Sequence, residues 1–201
     1  MELIDISRDL LKTLPYPGDP ETRVDRVESM SAGGHCDVTA VYTCLHTATH
    51  VDAPSHFLEG GDSIEALPPE LFVGECTVID APPGPISGAW AEEHFPRRCE
   101  RLLIKGGGLA YLMESSAYVL QDIGCRLFGT DSASVGVHGS NGPVHRALFT
   151  SGVAILEGLD LAAVAPGRYF LLAQPLKIGG VEAAPCRALL VKDHLFWTGS
   201  R

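Results

Sequence analysis

The chain has 201 residues, 45% hydrophobic and 20% charged, with a formal net charge of −10 and a pI near 5.2. That is enough chain for one domain with a substantial core, over residues 1–201. The acidic balance argues against nucleic-acid binding, which needs a basic face for phosphates. No apolar run approaches the length of about 18 residues that marks a membrane span, and Met1–Asp5 lacks the basic-then-apolar pattern of a secretory leader. The six cysteines (Cys36, Cys44, Cys76, Cys99, Cys125 and Cys186) are scattered with no C-x-x-C, as expected of free thiols in a reducing cytoplasm.

In chain order, Glu2–Ser7 alternates and predicts a first strand. Pro15-Tyr16-Pro17-Gly18-Asp19-Pro20 predicts a rigid turn that presents Tyr16 to a pocket or packs it at a loop base. Thr22–Met30 predicts an exposed strand with one irregularity, and Cys36–Leu45 a buried strand that delivers His46. A short turn or helix spans Asp62–Leu67, and a strand Glu75–Asp80. Ser87 suits the cap of a helix through Trp90 to Phe95. Leu102-Leu103-Ile104 predicts a buried strand ending at Gly106-Gly107-Gly108. That glycine run lacks the Gly-Lys-Ser/Thr ending of a phosphate loop. A helix over Met113–Asp122 closes at Gly124, and Cys125–Phe128 predicts another strand. Pro143 opens a helix to about Thr150, and Val153–Leu156 predicts a short buried strand that delivers Glu157. Strands over Arg168–Ala173 and Arg187–Val191 follow, and the tail from His194 reads as frayed. The sum is an α/β domain with a central mixed, barrel-like sheet flanked by short helices.

The densest chemistry lies in His46–His56, where three of the eight histidines and Asp52 fall within eleven residues. Imidazole and carboxylate are ligands for zinc, manganese or iron. Ligand atoms lie about 2.0–2.2 Å from a zinc ion. In an extended strand His46 and His50 would be about 13 Å apart, at roughly 3.3 Å per residue. The chain must therefore curl at His46 to bring them to one ion, and Pro54 then prevents a continued helix and sets His56 apart. Thr47 stands where a zincin H-E-x-x-H motif needs its glutamate, which disfavours that peptidase class. No G-x-S-x-G elbow suggests a serine nucleophile. The segment needs partners from elsewhere, and His94, His138, His145, His194, Asp131 and Glu157 are candidates. Glu157, at the end of an apolar strand, needs a partner if it is buried; a strand-end glutamate in solvent is the plain alternative.

The segment His46-x-x-Thr49-His50-x-Asp52-Ala53-Pro54-x-His56-Phe57 resembles the signature of the cyclase-like metal-dependent hydrolases, the family of bacterial kynurenine formamidases and isatin hydrolases. Tyr16-Pro17-Gly18-Asp19, Gly129-Thr130-Asp131-Ser132, the pair His145 and Glu157-Gly158-Leu159, Pro175-Leu176-Lys177 and Pro185-Cys186-Arg187-Ala188 extend the resemblance over most of the chain. The resemblance implies a site for two divalent ions, zinc or alternatively manganese. His46 and His50 would hold the first, His145 the second, and Asp52 and Glu157 would bridge them. It implies His56 as the acid/base residue and Tyr16 lining the substrate pocket in place of a tryptophan. It also implies a homodimer or homotetramer. Ala48 departs from the usual glycine, Thr49 from the formamidases' alanine, and Gly136 from an acidic residue; these departures bear on the substrate.

The implied reaction is hydrolysis of an amide C–N bond, with the metal lowering the pKa of water from about 15.7 to about 7. His56, with an ordinary pKa near 6.5, would carry the proton to the leaving nitrogen. A small aromatic amide is the expected substrate. N-formylkynurenine would give kynurenine and formate, as in tryptophan catabolism. The alternatives are opening of a cyclic amide or lactone, and a non-enzymatic metal-binding protein.

Overall fold

The computed structural model describes residues 1–192, so the expectations for the tail and for His194 lie outside the described residues. The strands are β1 Glu2–Asp5, β2 Arg23–Glu28, β3 Val38–Tyr42, β4 His50–Asp52, β5 Val73–Asp80, β6 Gly84–Ile86, β7 Arg101–Lys105, β8 Ala110–Leu112, β9 Leu127–Thr130, β10 Ala154–Glu157, β11 Gly167–Leu172, β12 Ala183–Pro185 and β13 Leu189–Lys192. The helices are α1 Gly88–His94, α2 Glu114–Asp122 and α3 Gly142–Thr150. Ser87 caps α1, its Oγ accepting from the Trp90 amide at 3.2 Å, and Pro143 sits in the first turn of α3.

Nine strands form one mixed sheet in the order β1-β13-β11-β5-β7-β9-β10-β4-β12, curled into a half-barrel. The four central strands β5, β7, β9 and β10 are parallel, and the flanking pairs are antiparallel. The parallel centre is buried on both faces, which is why β7 and β10 read as continuous apolar runs. Strand alternation splits their side chains between two cores. Leu102, Ile104, Phe128 and Ile155 pack against the three helices, while Val51, Leu103, Leu127 and Leu156 fill the other side of the sheet.

This parity places the chemistry. Antiparallel pairing sets Glu157 opposite His50 and Ile155 opposite Asp52. Ile155 belongs to the helix-side core, so His50, Asp52 and Glu157 project to that side as well. Helix α3 lies there and carries His145.

Two expectations need correction. The segment Cys36–Leu45 is not a buried strand: β3 covers only Val38–Tyr42, and all five of its residues are exposed. It pairs with β2 alone, outside the large sheet, so its β-branched and apolar residues reflect a ribbon and not the core. The strand expected at Cys125–Phe128 lies at Leu127–Thr130, because Cys125 still belongs to the turn closing α2. The irregularity expected in β2 is present as a register shift between Arg26 and Glu28. Among the described residues no helix is long and apolar enough to cross a membrane.

Candidate metal centre

The curl required by distance lies between β3 and β4, over Leu45–Thr49. Its pivot is Ala48, with φ at +62°, the one non-glycine residue of positive φ among those described. The left-handed region costs an L-residue about 1–2 kcal/mol, so the turn must be held by its surroundings. The Thr49 hydroxyl donates to the Gly158 carbonyl at 2.6 Å and accepts from the Arg8 amide at 2.8 Å. The Cys186 amide donates to the Thr49 carbonyl at 3.1 Å. Gly158 (φ +67°) lies so close that a Cβ there would collide with the Ala48 carbonyl. The curl brings the His46 and His50 rings to 5.1 Å between centroids.

Asp52 is the hub. Its Oδ1 lies 3.0 Å from His46 Nδ1 and 3.3 Å from His50 Nε2, and its Oδ2 faces His145 Nε2 at 3.7 Å. Glu157 repeats the pattern, with Oε2 at 3.5 Å from His50 Nε2 and Oε1 at 3.3 Å from His145 Nε2. Each carboxylate thus turns one oxygen toward His50 and the other toward His145. The imidazoles are aimed from behind: His50 Nδ1 lies 3.0 Å from the Ala48 carbonyl and His145 Nδ1 2.8 Å from the Asn141 carbonyl. A backbone partner on one ring nitrogen leaves the other for a ligand.

Ligand atoms of His46, Asp52 and His56, and again of His50, Asp52 and Glu157, gather within 4.8 Å of one another. His56, on a 3-10 turn over Pro54–His56, lies 4.2 Å from the His46 ring and 5.6 Å from that of His145. Geometry therefore groups His56 with a potential ligand set, and groups His50 with Glu157 as well as with His46. The resemblance had separated His56 from the ligands.

Electrostatics follow from this crowding. Burial works against charge on His50 and His145, but Asp52 and Glu157 outweigh it, raising His50 well above its ordinary value and His145 to about 10. Burial likewise works against charge on His46, and Asp52 reverses it, raising that group too. Asp52 is pulled well below its ordinary value, against its burial, by the charge on His50 and then by its closeness to His145 and His46. Glu157 is lowered against burial and Asp52, through His145 and His50. His56 moves the other way: burial lowers it, and His46 and His145 reinforce that against the pull of Asp52.

A pocket of about 190 Å³ opens on this cluster, lined by Tyr16, Asp19, His46, His56, Phe57, Ala133, Ser134, Asn141, His145 and Glu157. Tyr16 therefore faces the pocket, its hydroxyl 2.9 Å from His138 Nδ1. His138 borders the pocket through Tyr16 and holds no ligand position. His94 stacks on Trp90 at 4.2 Å on α1, away from the site. Asp131 does not join the cluster: its carboxylate accepts from the amides of Gly106 and Gly107 at 3.0 and 2.9 Å. The glycine run thus binds an internal carboxylate. A cleft of about 1000 Å³ lined by Arg98, Arg101 and Arg168 contains none of the clustered ligands. Sequence reading missed Glu182, 3.3 Å from His46 Nε2, and Asn141, whose place one helical turn before His145 was a usable signal.

A family model described as Cyclase matches residues 4–137. The chain belongs to the Cyclase family. A kynurenine formamidase of Salinibacter ruber is 36% identical, over 94% of this chain and 97% of its own length. A solved structure described as a potential metal-dependent hydrolase with cyclase activity superposes with a TM-score of 0.82 at 29% identity, covering 94% of this chain and 96% of the other. Isatin hydrolase A from Ralstonia solanacearum shares the fold, with a TM-score of 0.77 at 21% identity over 95% of this chain and 92% of that one.

The residues of this Cyclase-family chain fit a divalent cation. His50 Nε2 and both carboxylate oxygens of Asp52 are buried without a hydrogen-bond partner, since the ion-pair distances around them lack hydrogen-bond geometry. An unpaired buried carboxylate is costly. A cation among these nitrogen and oxygen donors would satisfy all three atoms, and the donor set suits zinc or manganese.

Proposed function

We propose that this chain is a metal-dependent amide hydrolase of arylformamidase type, cleaving N-formylkynurenine to kynurenine and formate in tryptophan catabolism. The observation that carries the metal chemistry is the fully buried Asp52 with two unpartnered oxygens among three imidazoles. The substrate rests on the kynurenine formamidases at 34–36% identity over most of the chain. The likeness to isatin hydrolase extends to the fold, so ring opening of a cyclic amide is the second reading.

The assignment of residues is ours. His46 and His50 would hold one divalent ion, His145 a second, with Asp52 and Glu157 bridging; the split of both carboxylates between His50 and His145 supports it. Zinc is the proposed metal, with manganese the alternative. A divalent ion there supplies Lewis-acid polarisation of a carbonyl and acidifies water. His56 is neutral at neutral pH because its pKa is lowered, so it can accept a proton from the attacking water and return it to the leaving nitrogen. Water adds to the formyl carbon, the C–N bond breaks, and formate and an aryl amine result. Phe57 and Tyr16 offer aromatic surface to the substrate ring. We further propose one catalytic domain over residues 1–201, acting in the cytoplasm as a homodimer or homotetramer; the six free cysteines suit a reducing compartment.

The test is a substrate panel of N-formylkynurenine, isatin and simple lactones, run on wild type and His56→Ala. The expected result is N-formylkynurenine as the best substrate, with His56→Ala retaining metal while kcat falls by about 10²–10⁴. Bound metal with no turnover on any substrate favours a metal-binding protein. Full turnover in His56→Ala removes it as the acid/base group.

A further inference from the structure

The segment that leaves β1 runs past the strand ends at the metal centre. Ser7 bridges to Leu159, and the Arg8 amide is fixed on the Thr49 hydroxyl of the curl. The half-buried Arg8 side chain is then held by the chain just past β9 and β10. Its Nε donates to the Leu159 carbonyl at 3.1 Å, and its Nη2 to the Asp131 carbonyl at 2.6 Å. A guanidinium carries five N–H donors in a rigid fork, and these bonds use two. Among the described residues Nη1 makes no hydrogen bond, and the side chain has no acidic partner.

Arg8 lines a recess of about 20 Å³. The recess and the 190 Å³ pocket share Tyr16, His46 and Ala133 as walls, so the recess is a side chamber of the metal centre. About 10–15 Å³ admits one water, so this chamber takes the tip of a ligand and not a ring. The carboxylates lining the two cavities, Asp19 and Glu157, repel an anion, and Arg8 is the one lysine or arginine that lines either. A partly buried charge without a counter-charge is costly. We propose that Arg8 anchors a carboxylate subsite opening off the metal centre.

The reaction offers two carboxylates of this kind. One is the α-carboxylate on the amino-acid tail of N-formylkynurenine, which would enter the recess while the aryl amide lies in the main pocket. The other is the formate released. Guanidinium and carboxylate pair through charge-assisted hydrogen bonds, and the two carbonyl bonds pre-set the fork, so little ordering remains to be done on binding. The contact makes Arg8 a specificity-determining residue: N-formylkynurenine carries a carboxylate for it, and isatin carries none.

This inference rests on the arylformamidase reading above. It is tested by isothermal titration of L-kynurenine, its methyl ester and formate into the metal-loaded full chain, as wild type, Arg8→Met and Arg8→Lys. Circular dichroism and metal content verify that the variants fold. Wild type should bind the acid at least about tenfold more tightly than the ester. Arg8→Met should abolish that difference, and Arg8→Lys, which keeps the charge without the fork, should keep part of it. Acid and ester bound alike, with formate weakened at least about tenfold in Arg8→Met, would uphold the subsite and assign it to formate. Acid and ester bound alike, with formate affinity indifferent to Arg8, would overturn it. If Arg8→Met does not fold, the wild-type comparison of acid with ester and the Arg8→Lys titrations decide. Absence of N-formylkynurenine hydrolysis with the Arg8-dependent preference intact would refute the reaction and uphold the subsite. Hydrolysis with neither the preference nor the formate effect would do the reverse.

Discussion

Asp131 and Glu157 sit at the same end of neighbouring parallel strands, Asp131 just past β9 and Glu157 closing β10. Both are buried, at 4% exposure each. Asp131 is completed by the chain itself, through the amides of Gly106 and Gly107. Glu157 receives one amide, from Val135 at 2.7 Å, and otherwise faces imidazoles that Asp52 also faces. The Asp52 carboxylate accepts no hydrogen bond. A buried carboxylate that the backbone satisfies is structural. One that is left to imidazoles fits a cation.

The sharpest test of that contrast pairs Asp52→Asn with Asp131→Ala. Asp52→Asn should stay folded, lose bound metal on dialysis and lose activity by about 10³ or more, equivalent to about 4 kcal/mol. Asp131→Ala should instead lose stability, by about 1–3 kcal/mol, because the buried Gly106 amide is left unpaired. While folded it should keep its metal. Calorimetric melting and metal analysis on both proteins separate the cases, and the reverse pattern would break the comparison.

A smaller effect follows from protons. In the metal-free protein the raised His50 and His145 are protonated at neutral pH. Stability from the raised His145 is fully present below its unfolded pKa near 6.5 and is lost as pH rises through about 10. Metal needs the neutral imidazole, so binding releases protons. Apparent affinity should rise from pH 6 to 8 by about tenfold per unit for each proton released. Isothermal titration in buffers of different ionisation heat counts those protons, and a pH-independent affinity would show that the histidines carry none.

The smallest effect concerns the curl. Ala48→Gly should stabilise the fold by about 0.5–1 kcal/mol, the left-handed strain relieved less the extra freedom of glycine in the unfolded chain. Metal content should not change. A lowered melting temperature would mean that the alanine methyl contributes packing that outweighs its backbone strain.

The site was more legible than the ribbon, and for a definite reason. The density of His46, His50, Asp52 and His56 is a local property, and so is the distance that forces a curl between β3 and β4. Pro143 and Ser87 likewise mark their helices through local backbone chemistry. By contrast, Cys36–Leu45 looked buried because it is rich in β-branched and apolar residues, which suit an exposed ribbon as well as a core strand. Burial depends on what lies across from a strand, and here only β2 does.

The sequence by itself determined the candidate ligand types, the need for a bend if His46 and His50 are to meet, and the elements that carry His145 and Glu157. The tertiary structure decided which acids join the imidazole cluster. Asp131 and Glu157 are alike as strand-end carboxylates, and only the position of the glycine amides separates them. It also brought Glu182 to His46 and Asn141 behind His145, and set Glu157 opposite His50 across an antiparallel pair. Those contacts span separations that no local propensity encodes, because they depend on where the completed sheet sets each strand end.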